Sequence, residues 1–520
     1  MKIAPIDWFI LGTSFVFFLG LAIYLNSLCR SVADYLVSGR KVRLWLGMGA
    51  GIAGEIGLVS IVGMCEQGYL KGFSFVLIAL LSMVILVPLF GIFGFGIQRF
   101  RATKAMSVSQ YVEMRYSKGL RVLTGMLNAT AGILQMSIFP IVGAEFIRIL
   151  IHAPENVALL GAQVPVAWII MAILLGCTVI FSLLGGYLAL VVSNFLHMIL
   201  TMGAVFAVVY YMVNLVGLQT LWGKLEESRG LAGVYPFAEH GNSYGVVWFA
   251  WLMVMSVLLQ FSYGPYLQKY ASMDKPRTAS LSFLIGSLFG NGRTFIIMAW
   301  GVGALAVLGP VALAGHAENT WASTVTPLYL SQIVPPVMMG FLLTGLLWAD
   351  ISNTDQYLLS WSTSIVNDCI CPFLREAPSP QKHIRMVRLT IVALCVGFFF
   401  FGMLYEPTTS LWDYLWLCAN IIGGTGVIVV FGMYWPGAKT AGAYAAVAAS
   451  VALPLTDLVA RRVWLAHGWE FPIKPEMTGL GTYLIAAALL IGVSLLSSEG
   501  SKYWDLGKIV REMNSAKGAA

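Results

Sequence analysis

Residues 45–69 read WLGMGAGIAGEIGLVSIVGMCEQGY, an apolar run long enough to cross a bilayer, with glycines at 47, 49, 51, 54, 57, 63 and 68 and glutamates at 55 and 66. About 20 apolar residues span the hydrocarbon as a helix. Each glycine weakens that helix by about 1 kcal/mol relative to alanine, yet glycine also lets neighbouring helices approach closely. Two readings follow. The glycines form a helix–helix contact face, or the helix unwinds near Ala53–Leu58 and turns carbonyl oxygens toward a protein-lined cavity. Glu55 lies in the middle of this stretch, and an acid at that depth is expensive and functional by default.

A second run, residues 248–270, reads WFAWLMVMSVLLQFSYGPYLQKY and is interrupted by Gly264-Pro265. Proline removes a backbone donor and disfavours helix in the residue before it. Counting apolar runs along the chain, these two are spans 2 and 7. Interrupted helices at matching positions of two halves point to a transporter binding site at the bilayer midplane.

The whole chain agrees with a polytopic membrane protein. Its 520 residues are 58% hydrophobic and 11% charged, with mean hydropathy +0.81. That excludes an ordinary soluble globule. The runs are continuously apolar, so the expected fold is an all-α bundle and not a barrel. Thirteen spans are predicted: Ile6–Leu28, Trp45–Gln67, Phe73–Ile97, Leu120–Ile151, Val164–Leu184, Tyr187–Val213, Tyr244–Tyr266, Ala279–Leu308, Val337–Val366, Val387–Leu404, Leu411–Tyr434, Ala441–Val459 and Gly479–Leu496. One transporter domain covers 1–520, with core repeats at about 43–214 and 244–436, one helix before them (6–28), two after (441–459 and 479–496) and a tail at 498–520. The first run lacks a basic leader and a cleavage site, so it reads as a retained helix.

Alternate loops are basic, among them Arg40, Lys41 and Arg43, then Arg99, Arg101 and Lys104, and later Lys269, Lys275 and Arg277. Basic loops stay inside, which places the N-terminus outside and the C-terminus in the cytoplasm of a plasma-membrane protein. Arg461 and Arg462 fall on the outer side against this trend. The net charge of +7 is therefore topological, not a nucleic-acid signal. Seven scattered cysteines are expected to be ordinary thiols,.

Span 9 carries the polar stretch WADISNTDQYLLS at 348–360. Ala349, Ser352, Asn353 and Gln356 share one helix face at i, i+3, i+4 and i+7. Asp350 lies about 140° from Asp355, by roughly 100° per residue. It reads as a structural acid, with Arg293 of span 8 a possible partner. Glu145 and Arg148 are spaced to pair with each other. His197 reads as a hydrogen-bonded bundle residue.

Several segments resemble the sodium:solute symporter family, in the family's order over most of residues 1–440: DYLVSGRKV at 34–42, RYSKGLR at 115–121, GGYLALVVSNFLHMIL at 185–200, YLQKYASMDKPRTA at 266–279 and GLLWADISNTDQYLLSWSTSIVND at 345–368. The resemblance implies a leucine-transporter-type five-plus-five inverted repeat, with spans 2–6 and 7–11 as its halves. It also implies a sodium site from the carbonyls of Ala53, Ile56 and Ala349 and the side chains of Ser352 and Asn353. Oxygen ligands suit a hard cation. Asn353 stands where the family usually has a hydroxyl. Glu55 aligns with an aspartate that matters for coupling in some relatives. Some relatives hold a second sodium with an aspartate in span 6 and hydroxyls in span 9. Here Asn194 takes the first position and Asp355 one of the second. Ser352, Asp355, Gln356 and Asn194 are thus expected to form a cluster for a cation or proton, the alternative being a structural acid.

For the solute, the expected lining is Ser60, Glu66, Gln260, Ser262, Tyr263, Trp416 and Asn420. No arginine is assigned to the central cavity, which favours a neutral or zwitterionic solute. The resulting expectation is symport of a small organic solute with Na+, no organic cofactor, the solute and the lipid bilayer as partners, and no nucleic acid, with the oligomeric state left open. Proton-coupled or sodium-independent transport, or a non-transporting sensor, are the alternatives. A channel would not accumulate solute. No output domain is expected after span 13, and no catalytic motif argues for an enzyme.

Overall fold

The computed structural model describes residues 3–26, 38–53, 56–159, 161–238, 244–310, 318–376, 378–405, 411–467, 469 and 471–515, with the side chains of 50, 51, 53, 185, 291, 318–321, 411–414, 416, 417, 465 and 466 left aside. The helices are α1 Pro5–Asn26, α2 Leu44–Ala53, α3 Leu58–Lys71, α4 Ser74–Leu86, α5 Ile97–Thr103, α6 Val108–Arg115, α7 Lys118–Ser137 and α8 Phe139–Leu150. They continue with α9 Val166–Val216, α10 Leu218–Arg229, α11 Val246–Ser262, α12 Gly264–Ser272, α13 Pro276–Leu308, α14 Glu318–Ile333 and α15 Met338–Ser364. The last are α16 Pro380–Leu404, α17 Leu411–Tyr434, α18 Thr440–Ala466, α19 Pro475–Leu496 and α20 Leu506–Ser515.

Among the described residues, nine helices are long and apolar enough to cross a membrane, or ten if α11 and α12, bent by 56°, form one span. The thirteen expected spans all map onto helix, but three do not meet that measure. Span 2 is divided into α2 and α3, of 10 and 14 residues. Span 9, now α15, is one continuous helix diluted by its polar stretch. Span 11 qualifies only as a shorter apolar helix, Cys418–Tyr434.

The contact reading of the glycine-rich stretch applies at its start: a Cβ on Gly47 would lie 2.5 Å from Met273 and one on Gly49 2.5 Å from Phe195. Helix α2 is described as far as Ala53, and Ile56 and Gly57 are non-helical. Spans 5 and 6 join as α9, broken only at Gly186, whose φ of 62° and ψ of −173° are open to glycine,. Span 4 is not one helix: Ile138 separates α7 from α8, and Pro140 opens the second piece, where a missing N–H costs nothing. The expected loops contain structure too. An antiparallel hairpin pairs β1, Asn156–Leu159, with β2, Ala162–Pro165, and α10 and α14 are short helices in the two longest loops.

The bundle packs α15 along α9 and beside α1, α3 along α13, α11 along α17, and α18 on α19. The α3–α13 crossing brings backbone against backbone. A Cβ on Gly301 would fall 2.1 Å from the Cys65 carbonyl oxygen, and one on Gly68 2.2 Å from that of Met298. Gly301→Ala should therefore cost about 1–3 kcal/mol. Gly286→Ala on the same helix, where the added carbon meets nothing within 4 Å, should stay within about 0.5 kcal/mol. Thermal unfolding of the purified protein separates the two.

Basic residues collect at one end. Arg101 donates through Nε to the Met273 carbonyl at 2.6 Å, Arg115 to that of Gly432 at 2.9 Å, and Arg121 to the Asp368 carboxylate at 3.1 Å. Asp368 also accepts from Ser107 at 3.0 Å and Ser364 at 3.1 Å. Helix α20 closes the same end, where Asn514 donates to Gln98 at 3.1 Å.

Candidate functional site

One helix supports both interruptions. Gly57, just before α3, has an extended backbone (φ −87°, ψ 158°), and a Cβ there would lie 2.5 Å from Asn353 Oδ1. Tyr263, between α11 and α12, is also extended (φ −81°, ψ 112°), and a Cβ on the adjacent Gly264 would lie 2.8 Å from Ser360 Oγ. Asn353 and Ser360 are seven residues apart on α15, hence on one face. The polar stretch of span 9 thus runs from one break to the other.

At the first break, the Ile52 and Ala53 carbonyls lie at the end of α2, and the residues four further on, Ile56 and Gly57, are non-helical,. Arg293 of α13 donates through Nη1 to the Ile52 carbonyl at 2.6 Å. Ala53 ends the same turn, and Ile56 lies buried in the extended segment. Ala349 and Ser352 are buried on α15. Ser60 donates to the Gly57 carbonyl at 2.7 Å, which reinforces the start of α3. Glu55 lies outside the described residues.

The top of α15 is fixed by the N-terminal segment. Asp7 Oδ1 accepts from the amides of Val337 at 2.7 Å and Gly340 at 2.9 Å, and Oδ2 accepts from Ala4 at 3.0 Å. Val337 itself sits at φ 69°, an outlying conformation for a β-branched residue. Asp7→Ala should remove the cap and cost about 1 kcal/mol, read as a lower melting temperature.

The second cluster differs from its expected composition. Asp355 faces span 5, not Asn194: its Oδ1 accepts a hydrogen bond from Ser182. Asn194 instead accepts from Ser352 at 2.7 Å. Ser352 keeps lone pairs for a cation while it donates. Asn194 Nδ2 and Gln356 Oε1 are buried with no hydrogen-bond partner among the described residues. Ser182 was missed; the signal for it was its place one turn before the Gly185-Gly186 break. Among the described residues no three His, Cys, Asp or Glu side chains gather as a metal site.

Other expectations change as well. Asp350 is buried against α8, where a Cβ on Gly143 would lie 3.5 Å from its Oδ1 and 2.8 Å from Leu58; Arg293, its expected partner, gives Nη1 to Ile52. His197 is not hydrogen-bonded: both ring nitrogens are buried without partners among the described residues, and the ring lies near Phe18 and Trp348. Glu145 and Arg148 do pair, at 2.8 Å through Nε.

Beside the first break lies a cavity of about 290 Å³, lined by Ser60, Met64, Phe75, Gln135, Phe139, Met255, Tyr263, Tyr266, Arg293, Thr294, Asn353 and Tyr357 with several aliphatic residues. Of the expected lining, Ser60 and Tyr263 are there. Glu66 is buried outside it, because it lies roughly 200° around α3 from Met64,. Gln260 accepts from Tyr270 at 2.7 Å and Ser262 bonds back to the Leu258 carbonyl at 3.0 Å. Asn420 is taken up by Trp251 at 3.0 Å and Tyr483 at 2.9 Å. The Trp416 side chain lies outside the described residues. The expectation of no arginine in the cavity fails, since Arg293 lines it. Gln135 and Tyr357 were also missed.

Asn353 belongs to both features: it abuts Gly57 at the break and faces the cavity.

Known proteins resemble this chain in sequence and fold. The chain is 22% identical over 397 residues to a sodium/pantothenate symporter of Haemophilus influenzae, covering 74% of this chain and 75% of that protein. It is 22% identical over 330 residues to a sodium/proline symporter of Staphylococcus aureus, covering 61% of this chain and 58% of that protein. Among solved structures, a substrate-bound, outward-open Na+-coupled sialic acid symporter matches with TM-score 0.77 at 15% identity, over 96% of this chain and all of that one. A nucleobase-cation-symport-1 family transporter matches with TM-score 0.56 at 14% identity, over 93% and 99%. At these identities the structures speak for the fold, a leucine-transporter-type bundle. The description "Sodium:solute symporter family" matches residues 35–449, and the chain belongs to the sodium:solute symporter family.

Proposed function

We propose that the protein is a sodium-driven symporter that accumulates a small organic solute by alternating access. The observation that carries this is the double placement of Asn353, on the break and on the cavity wall. A cation held by the carbonyls of Ala53, Ile56 and Ala349 and the side chains of Ser352 and Asn353 would tie α15 to the broken helix. That same act would set the cavity wall formed by Asn353. Ion and solute then stabilise one conformation jointly, which is the reciprocal coupling symport needs. Each sodium entering down the membrane potential supplies about 2.3 kcal/mol per 100 mV.

The two halves, about 43–214 and 244–436, would rock against one another about the breaks. The basic end, with Arg101, Arg115 and Arg121, would face the cytoplasm and the N-terminus the outside of the plasma membrane. Glu55, next to the ligand carbonyls in sequence, is assigned to coupling. Asp355 with Ser182 would form a second cation site, to which Asn194 and Gln356 contribute through Ser352's side of α15.

The relatives' names supply the first solutes to try: pantothenate, proline and sialic acid. Purified protein in proteoliposomes should accumulate one of a solute panel under an inward sodium gradient, and not under a proton gradient alone. Accumulation driven by protons without sodium would replace this reading with proton coupling, which the buried Asp355 favours as the second choice.

A further inference from the structure

We propose that the protein binds an anionic phospholipid at its basic end, in a cavity between the last turn of span 3 and helix α20, with the headgroup phosphate held between Arg99 and Arg511.

The cavity holds about 350 Å³ and is lined in part by Leu89, Phe93, Gln98, Arg99, Gly507 and Val510. Its two sides differ in chemistry. One is the end of a membrane-crossing helix, the stretch Ser74–Thr103. There the π-helical turn Val87–Ile92 runs into Phe93, and Ile92 and Phe93 are 51% and 77% exposed. Apolar side chains this open on a membrane span meet acyl chains, which are as apolar as leucine. The other side is α20, where Leu506, Ile509, Val510 and Met513 fall on one face at i, i+3, i+4 and i+7,. Lys508 and Arg511 lie off that face and are exposed. A helix with one apolar and one basic face lies in the membrane interface. Asn514 pins it there, donating to Gln98 at 3.1 Å and accepting from the Arg277 amide at 3.1 Å.

The two guanidiniums converge on one point. Arg99 Nη2 lies 3.4 Å, and Arg511 Nη1 3.9 Å, from where a Cβ on Gly507 would stand. Asp505 Oδ1 is also there, at 3.2 Å, and accepts from the Lys508 amide at 3.1 Å. Arg99 is fixed from behind: Nη1 donates to the Met433 carbonyl at 2.6 Å, and the guanidinium lies 4.0 Å over the Tyr434 ring. Among the described residues neither arginine makes a salt bridge. Two cations brought this close repel, and a phosphate relieves that by accepting hydrogen bonds from both. Basic pockets beside membrane spans take acidic headgroups in this way. The absent side chain at Gly507 leaves room for the phosphate, while Leu89 and Phe93 receive an acyl chain that a free anion lacks.

The test is binding, separate from transport. Purified full-length protein in detergent is titrated with dioleoyl phosphatidylglycerol, dioleoyl phosphatidylcholine and inorganic phosphate, read by native mass spectrometry and by thermal shift. Phosphatidylglycerol should bind about tenfold or more tightly than phosphatidylcholine, the size expected for charge-assisted hydrogen bonds, and inorganic phosphate should not raise the melting temperature. Arg511→Gln should bring the lipid ratio to within about twofold. Lys502→Gln, exposed near the same end but outside the cavity, should leave it unchanged. Gly507→Asp sets a carboxylate in the place of the phosphate, so it should melt no lower than wild type in phosphatidylcholine and no longer respond to phosphatidylglycerol. Equal binding of the two lipids, a ratio kept in Arg511→Gln, a Gly507→Asp protein that still responds, or stabilisation by inorganic phosphate to the same extent as by phosphatidylglycerol overturns the proposal.

Discussion

Replacing Gly57 with alanine lowers sodium-driven uptake at least about tenfold, and adding Asn353→Ser to the same chain restores most of it. The backbone at Gly57 is extended, a conformation alanine adopts without strain,. The whole effect must therefore come from contact. The new carbon falls 2.5 Å from Asn353 Oδ1 and 2.6 Å from its Cγ, well inside van der Waals distance. Relieving such a clash costs about 1–3 kcal/mol, and about 1.4 kcal/mol is a tenfold change. Asn353 gives way by leaving the break, so the proposed ligand and a wall of the cavity would be lost together. Serine is shorter and keeps a ligating oxygen, so the double variant recovers both space and chemistry. The measurement is initial uptake rate against sodium concentration for all four chains of the cycle. Equal rates in wild type and Gly57→Ala would sink the idea, as would a double variant no better than the single one, because residues in contact must show coupling.

The parts of this architecture that depend on backbone chemistry are legible in the residues. A run of glycines, a Gly-Pro pair and a Gly-Gly pair point to the non-helical residues Gly57, Tyr263 and Gly186. The face of span 9 named from its periodicity is Ala349, Ser352, Asn353 and Gln356, and all four are buried on one continuous helix. What periodicity does not carry is the height and identity of the facing helix. Asp355 meets Ser182 of span 5, while Asn194 of span 6 meets Ser352 one turn away, and nothing in either segment alone sets that register. Asn420 was a plausible cavity amide until α19 supplied Tyr483 and α11 supplied Trp251 to occupy its oxygen. Arg293 is visible in the sequence only as a possible partner of Asp350; its place beside Ile52 appears when α13 packs on α2. The proline that splits span 4 was visible, but hydropathy runs through it unbroken.

Asp355→Asn should lower the cooperativity of the sodium response toward one ion and remove part of the protein's stabilisation by sodium. Asparagine keeps the shape of the side chain and an oxygen that Ser182 can still reach, so the lost quantity is the charge. Under the proposed second site, this buried carboxylate, which accepts from the Ser182 hydroxyl, would be poorly compensated until a cation arrived,. Sodium binding to the folded state raises stability by about 2.7 kcal/mol at a hundred times its dissociation constant. Each occupied site contributes such a term. The variant should therefore melt higher than wild type without sodium, because an uncompensated charge is gone, and should gain less on sodium addition. Ser182→Ala should act in the opposite direction without sodium, since it strips the carboxylate of its donor and lowers the melting temperature. Melting curves of both variants at rising sodium, in choline-balanced buffer, decide the matter. If Asp355→Asn keeps the wild-type sodium shift and the wild-type cooperativity, Asp355 is a structural acid. If the sodium shift is kept but uptake loses a pH dependence that the wild type shows, the site carries a proton, and the opposite signs of the two variants in sodium-free buffer would still locate its charge at Asp355.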